Sequence, residues 1–321
     1  MKELDLHALV SAAPQALDYV LPGFVRGTVG ALISPGGVGK SYWSMALALA
    51  IAGGAQADLT GLSPAEGKVL MLTAEDPTQV LALRLQAMCE ALGLSAARQA
   101  QVFERLKLYN LFEEGPLDVL DTAAHKQLIA AAAGARLVIL DTLSRFHCRD
   151  ENDAKEMKVV MAALEAIAHK SGAAVLYLHH ASKAAVLNGV ASTAQASRGS
   201  SVLTDNARWA AFLASMTEGE ARRHGISSEE APSYVRWNIS KQNYGAAAPD
   251  RWYRRNAQGV LMPCVLPVRA GTAALPADAM PREDLVSYRK ACSAQVPGRR
   301  AIRLNDTPPV SSARNAFEGN W

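Results

Sequence analysis

Lys40 and Ser41 follow three closely spaced glycines in the run Ser34-Pro-Gly-Gly-Val-Gly-Lys-Ser41. Glycines at 36, 37 and 39 let the backbone wrap so that successive N–H groups point at phosphate oxygens. An ammonium at position 40 would reach β- and γ-phosphates, and the hydroxyl of Ser41 would meet Mg²⁺. Ser34 stands where the P-loop pattern G-x-x-x-x-G-K-[ST] has its first glycine. That substitution tightens the turn without abolishing it. An apolar run, Thr28-Val-Gly-Ala-Leu-Ile33, precedes the turn, and a helix-like stretch from Tyr42 to Ala52 follows it. Strand, glycine-rich turn and helix N-terminus are the setting in which such a loop binds nucleotide. The expected ligands are ATP and Mg²⁺.

Four further positions could act on such a nucleotide. Asp141 ends the apolar run Leu137-Val-Ile-Leu140, the Walker B arrangement, which would hold Mg²⁺ at the strand edge beside the P-loop. Hydrolysis also needs a carboxylate about one water from the γ-phosphate. Glu75 sits at another strand edge and is favoured for reach, with Asp76 as its rival. His179-His180 ends a further apolar run, and strand alternation sends the two rings to opposite sides. One of them would sense γ-phosphate through a hydrogen bond; the plainer reading is a strand-end histidine bonded to a carbonyl. Arg208 opens another apolar run beside Trp209. It would complete a neighbouring subunit's site as an arginine finger, or else form a salt bridge or stack on Trp209.

The elements needed to position these groups are legible as apolar runs. Residues 68–74, 136–141 and 173–179 read as buried strands, and 78–88, 122–134 and 153–170 as helices. Their alternation predicts a mostly parallel sheet covered on both faces. Strands over 207–214, 233–240 and 259–265 would extend it, partly as hairpins. Residues 1–27 read as a short N-terminal arm, 28–265 as the core, and 266–321 as a Pro/Ala/Arg-rich tail of low order. The polar segment 183–201, rich in Gly, Ala and Ser, reads as a functional loop directly after His180.

Composition narrows the possibilities. The chain has 321 residues, half of them hydrophobic, enough for one large α/β domain with appendages. No apolar run approaches the ~18 residues of a membrane span, and the N-terminus lacks a signal-peptide layout, so no membrane partner and a cytoplasmic location are expected. Four scattered cysteines form no CxxC pair, which argues against metal ligation by thiolates. The residues after Leu266 carry eight basic and five acidic side chains, the whole of the net charge of +3. A balanced body argues against wrapping duplex DNA but permits a locally basic channel.

Several strings, taken in order, resemble the RepA-type replicative helicases of broad-host-range plasmids, a branch of the RecA-like hexameric ATPases. They include Leu17-Asp-Tyr-Val-Leu-Pro22, the P-loop with its strand, Ala74-Glu-Asp-Pro77 and Leu140-Asp-Thr-Leu-Ser-Arg-Phe-His147. More specific are Leu178-His-His-Ala-Ser-Lys183, Gln195-Ala-Ser-Arg-Gly-Ser-Ser-Val-Leu203, Ser240-Lys-Gln-Asn-Tyr-Gly245 and Asp250-Arg-Trp-Tyr-Arg-Arg255. The resemblance covers about residues 17–265. It implies a RecA-like P-loop core and a homo-oligomer, a ring of six, that hydrolyses ATP between subunits and moves along single-stranded DNA. A plasmid replication initiator and a primase are the partners such a helicase implies. Within it, Lys40 and Ser41 bind nucleotide and metal, Glu75 activates water, and Asp141 is the Walker B acid. His180 is the γ-phosphate sensor and Arg208 the arginine finger. If the 183–201 loop lines the ring, Lys183, Gln195 and Arg198 would grip the DNA backbone without reading bases. Two rival readings stay open: a RecA-like DNA-dependent ATPase of repair, recombination or plasmid regulation without unwinding, and a nucleotide-gated DNA-binding protein without turnover.

Overall fold

Apolar residues at alternate positions on both sides of several runs demand a sheet buried on two faces, and the structure contains one. The computed structural model describes residues 3–115, 117–181, 201–245 and 248–267. The nine-stranded sheet is built from β3 (Val29–Ser34), β4 (Lys68–Thr73), β5 (Leu106–Asn110), β6 (Ala135–Asp141), β7 (Ala174–His180), β8 (Trp209–Ser215), β9 (Tyr234–Gln242), β10 (Arg251–Arg255) and β11 (Leu261–Cys264). Their spatial order is β11-β10-β9-β8-β3-β7-β6-β4-β5. The pairings from β8 through β3, β7, β6 and β4 to β5 are all parallel. Those joining β8, β9, β10 and β11 are antiparallel.

Strand alternation divides the core into two layers. Leu32 of β3, Leu137 and Ile139 of β6 and Leu176 and Leu178 of β7 face one way. Ala31 and Ile33, Val138 and Leu140, and Val175 and Tyr177 face the other. This is what a parallel sheet sandwiched between helices requires. The first layer receives α2 (Lys40–Gly53), α3 (Thr78–Ala91) and α4 (Ala96–Arg105). The second receives α5 (Thr122–Ala131), α6 (Ala154–Ser171) and α7 (Val202–Asn206). The short α8 (Glu218–His224), closed by a capping box between Thr217 and Glu220, packs under the β8–β9 connection. Burial of α2 is almost complete from Lys40 to Gly53, so this helix and the P-loop before it are anchored on every side.

Residues before β3 divide in two. The hairpin β1 (Tyr19–Leu21) and β2 (Phe24–Val25) is built into the core, with Phe24 stacked on Trp209 at 5.0 Å and the Trp209 indole donating to Pro22 O at 3.0 Å. The helix α1 (Leu6–Ser11) buries no residue. The sheet therefore contains the elements expected from the apolar runs, together with β5 and β10, which the sequence reading left out. Lys183, Gln195, Arg198 and the rest of the 183–201 loop before Ser201 lie outside the described residues, as does the tail beyond Pro267.

Candidate nucleotide site

At the carboxyl edge of the parallel sheet the chain leaves β3, turns through Gly36–Gly39 and enters α2, whose first bond runs from Trp43 N to Gly39 O at 2.9 Å. Gly37 (φ +77°) and Gly39 (φ +111°) occupy the left-handed region that excludes most side chains. Gly36 does not; no atom lies within 4 Å of where its Cβ would be, so it leaves an open approach. Of the three glycines, two serve conformation and one serves access.

Lys40, at the first turn of α2, is only 7% exposed. Burial lowers the pKa of its ammonium, while Asp141 and Glu75 oppose that shift. Its Nζ lies 3.3 Å from His180 Nδ1. An ammonium can only donate, so Nδ1 accepts and the ring proton of a neutral His180 sits on Nε2. That nitrogen faces Glu75, with Oε1 at 3.9 Å. Glu75 Oε1 also accepts from Thr142 Oγ1 at 2.8 Å. Its carboxyl is held down at about 2 by the His180 contact first, with Thr142 and Lys40 helping and burial opposing. Glu75 is therefore an anion across the physiological range, suited to aiming a water rather than to storing a proton.

Asp141 closes β6 with 3% exposure, and the peptide that follows it is cis. Desolvation pushes its carboxyl up to about 6, opposed by a hydrogen bond from Ser41 and by Lys40. Oδ1 has no hydrogen-bond partner among the described residues. A buried carboxylate with an orphaned oxygen, beside a hydroxyl and a phosphate-binding turn, fits Mg²⁺, which favours oxygen ligands and keeps several waters. Asp76, the rival of Glu75, is instead ion-paired to Arg84 at 2.5 Å. That guanidinium lies 5.2 Å from the centre of the Tyr42 ring.

The alternation expected of the two histidines is present: His179 is buried at 2% exposure, while His180 opens to the site. Lys40, Ser41, Glu75 and His180 share a cleft of about 280 Å³ with Arg84 and Arg255. Arg208 is not among them. It precedes β8 at the opposite edge of the sheet, where its N–H bonds Val29 O at 2.9 Å, at the start of β3. It is exposed, and forms no ion pair or ring stack with any described residue, so neither plainer reading of it holds there.

Sequence reasoning gave no role to Thr142 or Arg255. Thr142 follows the Walker B aspartate directly, and its hydroxyl was available as a signal. Arg255 is 217 residues from its P-loop partner Val38, and no local spacing announces it.

A mostly parallel sheet with a P-loop after its central strand, and acidic groups on the neighbouring strand tips, defines a P-loop protein of RecA-like architecture. The AAA domain family matches residues 2–186, more than half of the chain, and the protein belongs to that family. The match takes in the P-loop, Glu75, Asp141 and His180, and ends before Arg208 and Arg255. Among solved structures, the chain is similar to the ATPase domain of a helicase at 12% identity, covering 81% of this chain and 96% of that one with a TM-score of 0.53. This likeness shows the fold. The RadB recombinase is also similar, at 14% identity over 74% of this chain and 90% of that one, with a TM-score of 0.46.

Proposed function

We propose that the protein hydrolyses ATP and uses the cycle to drive a ring of its own copies along single-stranded DNA, as a replicative helicase of the plasmid RepA type. One observation carries the hydrolytic reading: Lys40, His180, Glu75 and Thr142 form a continuous polar chain across the tips of neighbouring strands, beside the P-loop. A protein that only binds nucleotide has no need for an ionised carboxylate poised over its phosphate turn.

In this reading the P-loop N–H groups and Lys40 hold the β- and γ-phosphates. Ser41 and Asp141 would hold Mg²⁺, which would offset phosphate charge when bound with ATP. Glu75 accepts a hydrogen bond from the attacking water and aligns it. Lys40 is parked on His180 Nδ1, and a phosphate would draw the ammonium away. His180 then exchanges a lysine partner for a phosphate oxygen, and reports γ-phosphate loss through Ala181, whose N–H is bonded to Ser34 O at 2.9 Å. The residues that follow are the expected DNA-contacting loop with Lys183, Gln195 and Arg198.

The test is ATP turnover with and without single-stranded DNA, alongside displacement of a labelled strand from a forked duplex. Turnover stimulated by DNA with displacement supports the helicase; stimulated turnover without displacement supports a DNA-dependent ATPase. ATP binding without turnover in either condition overturns the hydrolytic reading. Glu75→Gln should retain ATP binding and lose turnover by about 10²- to 10⁴-fold.

A further inference from the structure

We infer that Arg255 is a nucleotide-binding residue of the same subunit, a second cation that grips the α- and β-phosphates from the flank opposite the hydrolytic cluster. This rests on the nucleotide reading above. Topology brings it there: β10 is antiparallel to β9, which is antiparallel to β8, so β10 runs with β3 and both end at the same edge. Arg255 is the last residue of β10, as Ser34 is of β3.

The side chain lies against the phosphate turn. Its Nη2 donates to Val38 O at 2.9 Å, and a Cβ on Gly39 would stand 3.5 Å from Nη1 and 3.6 Å from Nη2. The guanidinium is permanently charged and carries five donors. No carboxylate among the described residues lies within ion-pair distance of it, although other half-exposed arginines, Arg84, Arg136 and Arg236, each have one. A cation held beside an anion-binding turn, with a carbonyl as its protein partner and donors to spare, fits a phosphate oxygen.

Its flank says which phosphates. Glu75, Asp141 and His180 follow β4, β6 and β7, all on one side of β3, and they mark the γ-end. Arg255 arrives from the β8 side, so it meets the part of the chain common to ATP and ADP. Its position is held by the turn into β11. Tyr42 Oη donates to Gln258 O at 3.0 Å, Gln258 Nε2 donates to Glu90 Oε2 at 2.8 Å, and Asn256 Oδ1 accepts from Gln258 N and Val260 N. Gly259 has φ +86°, and a Cβ there would stand 3.0 Å from Tyr42 Oη, so the tip is pressed onto the first turn of α2.

Equilibrium binding of ADP and of a non-hydrolysable ATP analogue to wild type, Arg255→Ala, Arg255→Lys and Arg255→Gln tests this. A charge-assisted bond of this kind predicts about 10- to 100-fold weaker binding in Arg255→Ala, by the same factor for both nucleotides. Arg255→Lys should recover part of the affinity. Arg255→Gln, which keeps a donor for the Val38 carbonyl without the charge, should not. Wild-type affinity for ADP in Arg255→Gln, with an unchanged thermal midpoint, would make the residue a brace for the turn and overturn the assignment. So would a loss confined to the ATP analogue. If wild type itself bound neither nucleotide, the nucleotide reading would fall first, and with it this inference.

Discussion

Asp141 and Glu75 lie near one another at the same sheet edge, yet burial and partners drive their ionisation in opposite directions. For Asp141 the folded pKa is raised from 3.8 to about 6. Below about 4 the residue is protonated folded and unfolded alike, so no penalty exists. As pH rises toward 6 the unfolded chain ionises first, and the folded state carries an increasing cost that is complete above that value. At about 1.4 kcal/mol per unit, the penalty amounts to a few kcal/mol. Asp141→Asn should therefore melt several degrees higher than wild type at pH 7.5 without metal or nucleotide, while losing turnover. The gain should vanish when melting is repeated near pH 4; an equal gain at both values would show that ionisation is not its source. Glu75 has the opposite sign. Its pKa is lowered from 4.5 to about 2, so its contribution to stability is in place above 4.5 and is lost as pH falls toward 2. Stability is thus withheld at the metal-binding carboxylate and supplied at the water-aligning one.

The strand–turn–helix unit of β3 and α2 converts backbone geometry into anion binding. Only glycine meets the demands of position 39, where φ is +111° and an added Cβ would stand 3.2 Å from Leu261 Cδ1. Gly39→Ala should lower stability by about 1–3 kcal/mol and weaken nucleotide binding through the distorted turn. Gly36→Ala, with open space around its Cβ, should stay within about 0.5 kcal/mol of wild type. Thermal melting of the two variants side by side checks the contrast. If both lost the same stability, the division of labour between the two glycines would be wrong. The element also couples distant chain segments, because the tip of the β10–β11 hairpin rests on Tyr42 of α2.

At the level of the whole molecule, the sheet separates the nucleotide site from Arg208. The residue pairs with Val29 at one end of β3 and the P-loop leaves Ser34 at the other, roughly 17 Å away at about 3.3 Å per residue. An arginine side chain does not span that distance, so any part Arg208 plays in catalysis must be played on another subunit. Head-to-tail association would bring one subunit's Arg208 edge against its neighbour's P-loop edge. Arg208→Ala and Lys40→Ala should each lack turnover alone. In mixed rings about a quarter of the interfaces combine an intact lysine with an intact arginine from the next subunit, and turnover should return in proportion. Mixed rings that form without regaining turnover would remove the in-trans role.

Local spacing determined much of this protein. The P-loop is written in eight consecutive residues, and its flanking strand and helix follow from uninterrupted apolar runs. The ends of β6 and β7 fell within one residue of Asp141 and His179 because buried parallel strands stop where polar groups begin. The reading missed β5 and β10 for a common reason. Leu106-Lys-Leu-Tyr-Asn110 is an edge strand, and Arg251-Trp-Tyr-Arg-Arg255 is exposed at several positions, so neither displays the long apolar run of a central strand. Tertiary structure alone decided which polar groups meet. Lys40 and His180 are 140 residues apart, Glu75 and Thr142 are 67, and Val38 and Arg255 are 217. Strand order, not chain distance, sets those meetings: a parallel sheet gathers the carboxyl ends of its strands along one edge, whatever their separation in sequence.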